Sequence, residues 1–127
     1  MERLFWISVA GALGTGTRYL VGVWATERLG SGFPYGTLFV NLAGCFLFAF
    51  VMHAVLSFTT FPPTLHLALT AGFLGGLTTY SSFNQDLLRM LRDGAYGAAA
   101  LNFAVTTTGC ITAGLLGLGL ALLTVGH

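Results

Sequence analysis

Charge is what this chain lacks. Of its 127 residues only 7% are charged, lysine is absent, and four acids face five arginines for a formal net charge of +1. A soluble domain with so few charges would not stay in solution, so the composition excludes the ordinary globular class. Clustered basic residues are missing too, which excludes nucleic acid as an electrostatic partner. Cysteine is scarce. Cys45 and Cys110 stand far apart in the sequence, inside apolar segments and without metal-ligand or redox spacing, and they read as small buried side chains. No carboxylate falls in the middle of an apolar run, because Glu2, Glu27, Asp86 and Asp93 all lie at or near run ends, with only Asp86 placed to reach inward. Proton-coupled carriers commonly use a carboxylate near the bilayer midplane. His53 and His66 also stand near run ends and form no metal set. No nucleophile, base and orienting group can be assembled from this inventory, so it does not describe an enzyme.

What the chain has instead is apolar sequence, with 55% hydrophobic residues and a mean hydropathy of +0.83. That composition is that of an integral membrane protein. The N-terminal stretch has one arginine offset by a glutamate, and its apolar character runs well past a signal's short core. It reads as a first membrane helix. Four stretches reach the roughly 20 residues a span needs, at about 4–24, 35–58, 66–90 and 95–125. The expected fold is therefore an all-α, multi-pass membrane protein with one domain over residues 1–127 and both termini on one side. Its connections, Gly30 to Pro34, Pro62-Pro63 and Arg92-Asp93-Gly94, are too short to hold a site. Small residues recur at helix-packing distance, Gly72 with Gly76 and Cys110 with Gly114, and imply close helix contacts. Arg3 marks one side of the membrane and Arg28, Arg89 and Arg92 the other. Such a modest bias lets the chain insert either way. Four helices of this size enclose little besides their own packing, so a transport path is expected between subunits.

The unusual stretch is Gly72 to Phe83, read as Gly-Phe-Leu-Gly-Gly-Leu-Thr-Thr-Tyr-Ser-Ser-Phe in the middle of the third span. Glycine weakens helices and Ser and Thr hydroxyls bond backbone carbonyls, so this density of both predicts backbone that leaves the regular ladder. Inside a bilayer such a break needs buried surroundings or a watery lining. Around it stand Thr37 and Asn41 in the second span, Asn102, Thr106 and Cys110 at intervals of four in the fourth, and Arg18 in the first. Each has a plain structural alternative: an interhelical bond for Asn41, self-satisfied hydroxyls in the fourth span, and snorkelling for Arg18. Taken together, Asn41, Thr37, Ser81, Ser82, Asn102, Thr106 and Arg18 are donors without acids, a lining that suits a small anion. Tyr80 and Phe83, three apart on one face, could offer ring edges of positive potential or simply pack in a helix interface.

With Gly-Thr-Gly-Thr-Arg-Tyr at 14–19, Gly-Thr-Leu-Phe-Val-Asn-Leu-Ala-Gly at 36–44 and the stretch at 72–83, the whole chain resembles the Fluc-type (CrcB) bacterial fluoride channels. That resemblance implies a broken third helix, an antiparallel dual-topology homodimer in the bacterial inner membrane, two fluoride pores at its interface, and a structural sodium ion on the two-fold axis. It implies that the carbonyls of Gly75 and Thr78 hold the sodium. Asn41 would line the pore, with Phe83 as one of the family's facing phenylalanines and Asn102 and Thr106 as its polar row. Tyr80 departs from the pattern by placing a hydroxyl where the family has a second phenylalanine. The implied function is passive export of cytoplasmic fluoride. The rivals are a small dual-topology proton-coupled multidrug exporter, which the missing midplane acid opposes, and a helical assembly factor that moves no ion.

Overall fold

A computed structural model describes residues 1–58 and 60–126, and every regular element among them is helical. α1 (Glu2–Leu29) starts on an acid and carries Arg28 in its last turn, both matched to the helix dipole. Gly30 closes it at φ 83°, a left-handed backbone that a side chain would oppose. α2 (Tyr35–Leu56) follows. α3 (Pro63–Leu67) places proline in its first turn, where the missing N–H costs nothing. It passes directly into a π-helical segment, Ala68–Leu74, and then a single turn, α4 (Gly75–Leu77). After two extended residues comes α5 (Tyr80–Arg92), then a turn through Gly94 at φ 77°, then α6 (Tyr96–Val125). α2 over Tyr35–Val55 and α6 are each long and apolar enough to cross a bilayer.

These elements form four rods. The C-terminal end of α1, the start of α2 and the α5 residues Asp86 and Arg89 meet at one end of the molecule. At the other end His53 Nε2 lies 3.1 Å from the Gly126 carbonyl, and Trp6 sits beside Pro62 and Leu65. Both chain ends thus lie at the same end of the bundle, as expected. The helices overrun the expected spans, α1 reaching Leu29, because polar end residues continue the backbone ladder outside the apolar segment.

Glycine sets how closely the rods approach. A Cβ on Gly14 would collide with the Phe73 carbonyl, and one on Gly72 would stand 2.8 Å from the Ala10 Cβ. α1 is thereby seated along the third rod. α2 and α6 lock in the same way, the Phe46 carbonyl occupying the space a Gly117 side chain would fill. Such contacts are favourable packing for helices in lipid, where apolar surface gains nothing by association alone. Val40, Leu74 and Leu77 form a small buried cluster beneath the extended residues, joined by Val21, Val51 and Phe73. Large apolar side chains otherwise face outward, among them Leu13, Leu20, Ile111, Leu115 and Leu123. That surface, with the apolar helices, is that of a membrane protein.

Candidate functional site

The third rod stops being helical at two residues. Thr78 has φ −87°, ψ 155° and Thr79 has φ −155°, ψ 115°, both extended. The last regular bond before them runs from the Thr78 N–H to the Leu74 carbonyl at 3.1 Å. Asn41, only 6% exposed on α2, then clamps the extended backbone. Its Nδ2 donates to the Thr79 carbonyl at 3.0 Å, and its Oδ1 accepts from the Thr79 N–H at 2.8 Å. One side-chain amide thus replaces the peptide partner that a helix would have supplied. The Thr78 methyl fits against Gly44, one turn further along α2, where a Cβ would strike it. Thr79 in turn caps α5, its Oγ1 accepting from the Ser82 N–H at 3.1 Å and lying 3.2 Å from Ser81 Oγ.

Those bonds have a consequence for specific carbonyls. In an unbroken helix the Thr79 N–H would bond to the Gly75 carbonyl and the Ser82 N–H to that of Thr78. Asn41 and the Thr79 hydroxyl take both donors, so these two carbonyls lose their regular partners. Gly75 is exposed on the surface of the single chain. The Gly76 carbonyl is treated differently: half-buried Arg18 reaches it with Nε at 3.1 Å. Arg18 therefore bonds the turn just before the extended residues and does not snorkel away.

On the α5 side, Asn41, Thr79, Tyr80, Phe83, Phe103, Thr106 and Cys110 line a groove of about 440 Å³. Phe83 is 3% exposed and Tyr80 76% exposed, their rings edge-on with centroids 5.6 Å apart. Phe103 stacks on Phe83 at 6.5 Å. Below the groove Thr106 donates to Asn102 Oδ1 at 3.0 Å. Asn102 is 1% exposed, yet its Nδ2 has no hydrogen-bond partner among the described residues. A buried donor in that state costs about 1–3 kcal/mol, so it is a position for an acceptor.

Asn41, Tyr80, Phe83, Thr106 and, through Thr106, Asn102 come together. Ser81 joins them through its hydroxyl beside Thr79 Oγ1, and Ser82 only through the backbone N–H that it donates to Thr79. Thr37 and Arg18 do not line this groove. Thr37 lines a pocket of about 150 Å³ with Asp86 and Arg89 at the bundle end, and Arg18 faces a separate hollow beside Tyr19 and Glu27. Sequence reasoning missed the clamp on Thr79 and the stacking role of Phe103. Thr79 carried the signal of an N-cap, a hydroxyl three residues ahead of Ser82; Phe103 carried none beyond its position next to Asn102.

Comparison with known proteins gives consistent matches. The family model described as "CrcB-like protein, Camphor Resistance (CrcB)" matches residues 5–118. A protein of Sorangium cellulosum named "Fluoride-specific ion channel FluC" is 43% identical over 121 residues, covering 95% of each chain. One of Anaeromyxobacter sp. strain K with the same name is 47% identical over 113 residues, covering 89% of this chain and 90% of the relative. One of Citrifermentans bemidjiense, again so named, is 43% identical over 121 residues, covering 95% and 98%.

Proposed function

This chain belongs to the CrcB-like family, and on that premise we propose that it is a fluoride-selective channel, exporting the anion passively from the cytoplasm of a bacterial cell across its inner membrane. The single observation that carries the reading is the buried Asn102 Nδ2, without a partner among the described residues, next to Thr106 in a groove with donors and aromatic rings but no acid. Fluoride is small and a strong hydrogen-bond acceptor. A narrow lining of amide and hydroxyl donors replaces its water better than that of chloride, which is larger and accepts more weakly. In the groove the Asn41 amide retains a second N–H beyond the one given to Thr79. The Phe83 and Tyr80 rings exclude bulk water, and their edges carry positive potential. Tyr80 adds a hydroxyl donor at its ring edge.

The extended pair Thr78-Thr79 is read as the break of a membrane-spanning helix. It sets a helix C-terminus, with freed carbonyls, against the N-terminus of α5. The first end is electronegative and the second electropositive, so cations suit one side and anions the other. The freed carbonyls of Gly75 and Thr78 are hard oxygen donors and fit a structural sodium ion, which would supply fixed positive charge beside the pathway. Gly75 is exposed on one chain near the middle of its span, and lipid cannot satisfy a peptide carbonyl. A second copy of the chain, inserted antiparallel, covers it and brings the symmetry-related carbonyls to a shared two-fold axis. The Arg18 bond to Gly76 holds the preceding turn in place for that contact.

Hydrogen fluoride enters cells neutral and ionises, so a passive anion path driven by the membrane potential lowers its accumulation. The test is efflux from liposomes containing only this protein. Fluoride should leave without a proton gradient while chloride is retained. Equal movement of both ions, or a strict need for a proton gradient, would refute the reading. The latter result is what the proton-coupled exporter predicts.

A further inference from the structure

The two cysteines, which looked unremarkable in the sequence, come to one groove. Cys45 lies one turn beyond Asn41 on α2 and Cys110 one turn beyond Thr106 on α6. Both line the same groove, Cys45 from the α2 side of the seam and Cys110 from the α6 side. Along that seam the Phe46 carbonyl fills the space a Gly117 side chain would need, the Leu42 side chain packs on Gly109, and the Cβ position of Gly114 lies 3.8 Å from the Cys45 carbonyl. Both thiols are free and only partly buried.

We propose that Cys45 and Cys110 form a dithiol site for one soft, two-coordinate divalent cation of the mercuric type, whose binding closes the groove. The chemistry selects that class. Thiolate sulfur prefers soft ions, and two ligands suffice for an ion that coordinates linearly. Among the described residues there is no cluster of three or more His, Cys, Asp or Glu, so zinc lacks its usual set of ligands. One Hg2+ replaces one proton on each thiol, two S–H bonds giving way to two S–Hg bonds while two protons pass to water. The product is neutral. A monovalent ion bound by two thiolates would leave a net charge in a low-dielectric groove, which is costly. The bridged ion sits about one helical turn, roughly 5.4 Å, from Asn41 and Thr106, within the proposed anion lining.

The binding claim stands on the two thiols lining one groove from facing helices; closure rests on that groove being the fluoride path, and the experiment separates them. Purified protein receives one molar equivalent of mercuric acetate, then a monothiol challenge, and maleimide-reactive cysteines are counted after unfolding. Wild type should fall from two reactive thiols to none and run as a monomer on a denaturing gel without dithiol. C45S and C110S should give up the metal to the monothiol, and zinc acetate should protect neither thiol. One thiol left reactive in wild type, or a mercury-linked dimer, would overturn the site. In proteoliposomes the same equivalent should cut wild-type fluoride efflux about tenfold or more, reversibly with dithiothreitol, and each serine variant much less relative to its own rate. Both thiols protected with efflux undiminished would overturn closure. Protein that conducts no fluoride before mercury is added refutes the channel reading, and the thiol count still decides the site.

Discussion

Removing the Asn41 side chain should collapse the extended pair. In Asn41→Ala the Thr79 N–H and carbonyl lose bonds of 2.8 and 3.0 Å in a buried setting. Each unsatisfied buried group costs about 1–3 kcal/mol, so the observed geometry is destabilised by roughly 2–6 kcal/mol. The backbone has one nearby remedy. The freed Thr79 N–H can return to the Gly75 carbonyl and restore a helical turn, which removes an oxygen from the proposed cation site. Asn41→Ala should therefore lower the melting temperature in detergent and also abolish stabilisation by added sodium. Asn41→Asp separates the two halves of the clamp, since a carboxylate still accepts from the Thr79 N–H but cannot donate to the carbonyl. It should lose at least as much stability as the alanine variant, because a buried carboxylate oxygen then meets the Thr79 carbonyl where an N–H stood, and impair fluoride efflux further by placing negative charge in the groove. Thermal unfolding with and without sodium, paired with fluoride efflux, reads all of this. If Asn41→Ala keeps wild-type stability, sodium response and flux, the clamp is not what holds the extended pair.

Gly14→Ala should cost about 1–3 kcal/mol, because the new methyl meets the Phe73 backbone carbonyl, which cannot rotate aside. Gly16→Ala, with open space around it, is the control and should unfold no earlier than wild type. Thr79→Val removes the cap on Ser82 and should cost about 1 kcal/mol, while Thr79→Ser retains most of it; equal melting temperatures for the two would refute the cap. Asn102→Leu removes a buried donor without a partner but also the acceptor of the Thr106 hydroxyl, two effects of opposite sign, so stability should change by no more than about 1–2 kcal/mol while fluoride efflux falls. Unchanged efflux would remove Asn102 from the pathway.

The helices were legible because apolar runs of span length and the turns at Gly30, Pro62-Pro63 and Gly94 are local signals. The extended residues Thr78 and Thr79 fall inside the stretch that Gly and hydroxyl density singles out, 72–83. The physical cause of their extension was not legible. Asn41 and Thr79 are 38 residues apart, and whether a lone amide holds a bundle together or lines a path depends on what it meets in space. Here the amide clamps Thr79 and borders the groove as well. The π-helical segment Ala68–Leu74 left no trace, since seven mostly apolar residues are too few to give a phase by which to distinguish helix types. The thiol pair was hidden by sequence distance, and the positions of Thr37 and Arg18 outside the groove were hidden because intervals along a helix fix a face but not its neighbour.

The central claim is that freed carbonyls at the extended pair and donors in the groove form one working unit. Fluoride efflux from proteoliposomes, measured in sodium and again after exhaustive replacement of sodium by N-methylglucamine, tests it most directly. Efflux should be rapid with sodium, chloride being retained throughout, and should decay once sodium is stripped from the protein. Fluoride efflux that persists at full rate in protein freed of sodium would contradict it.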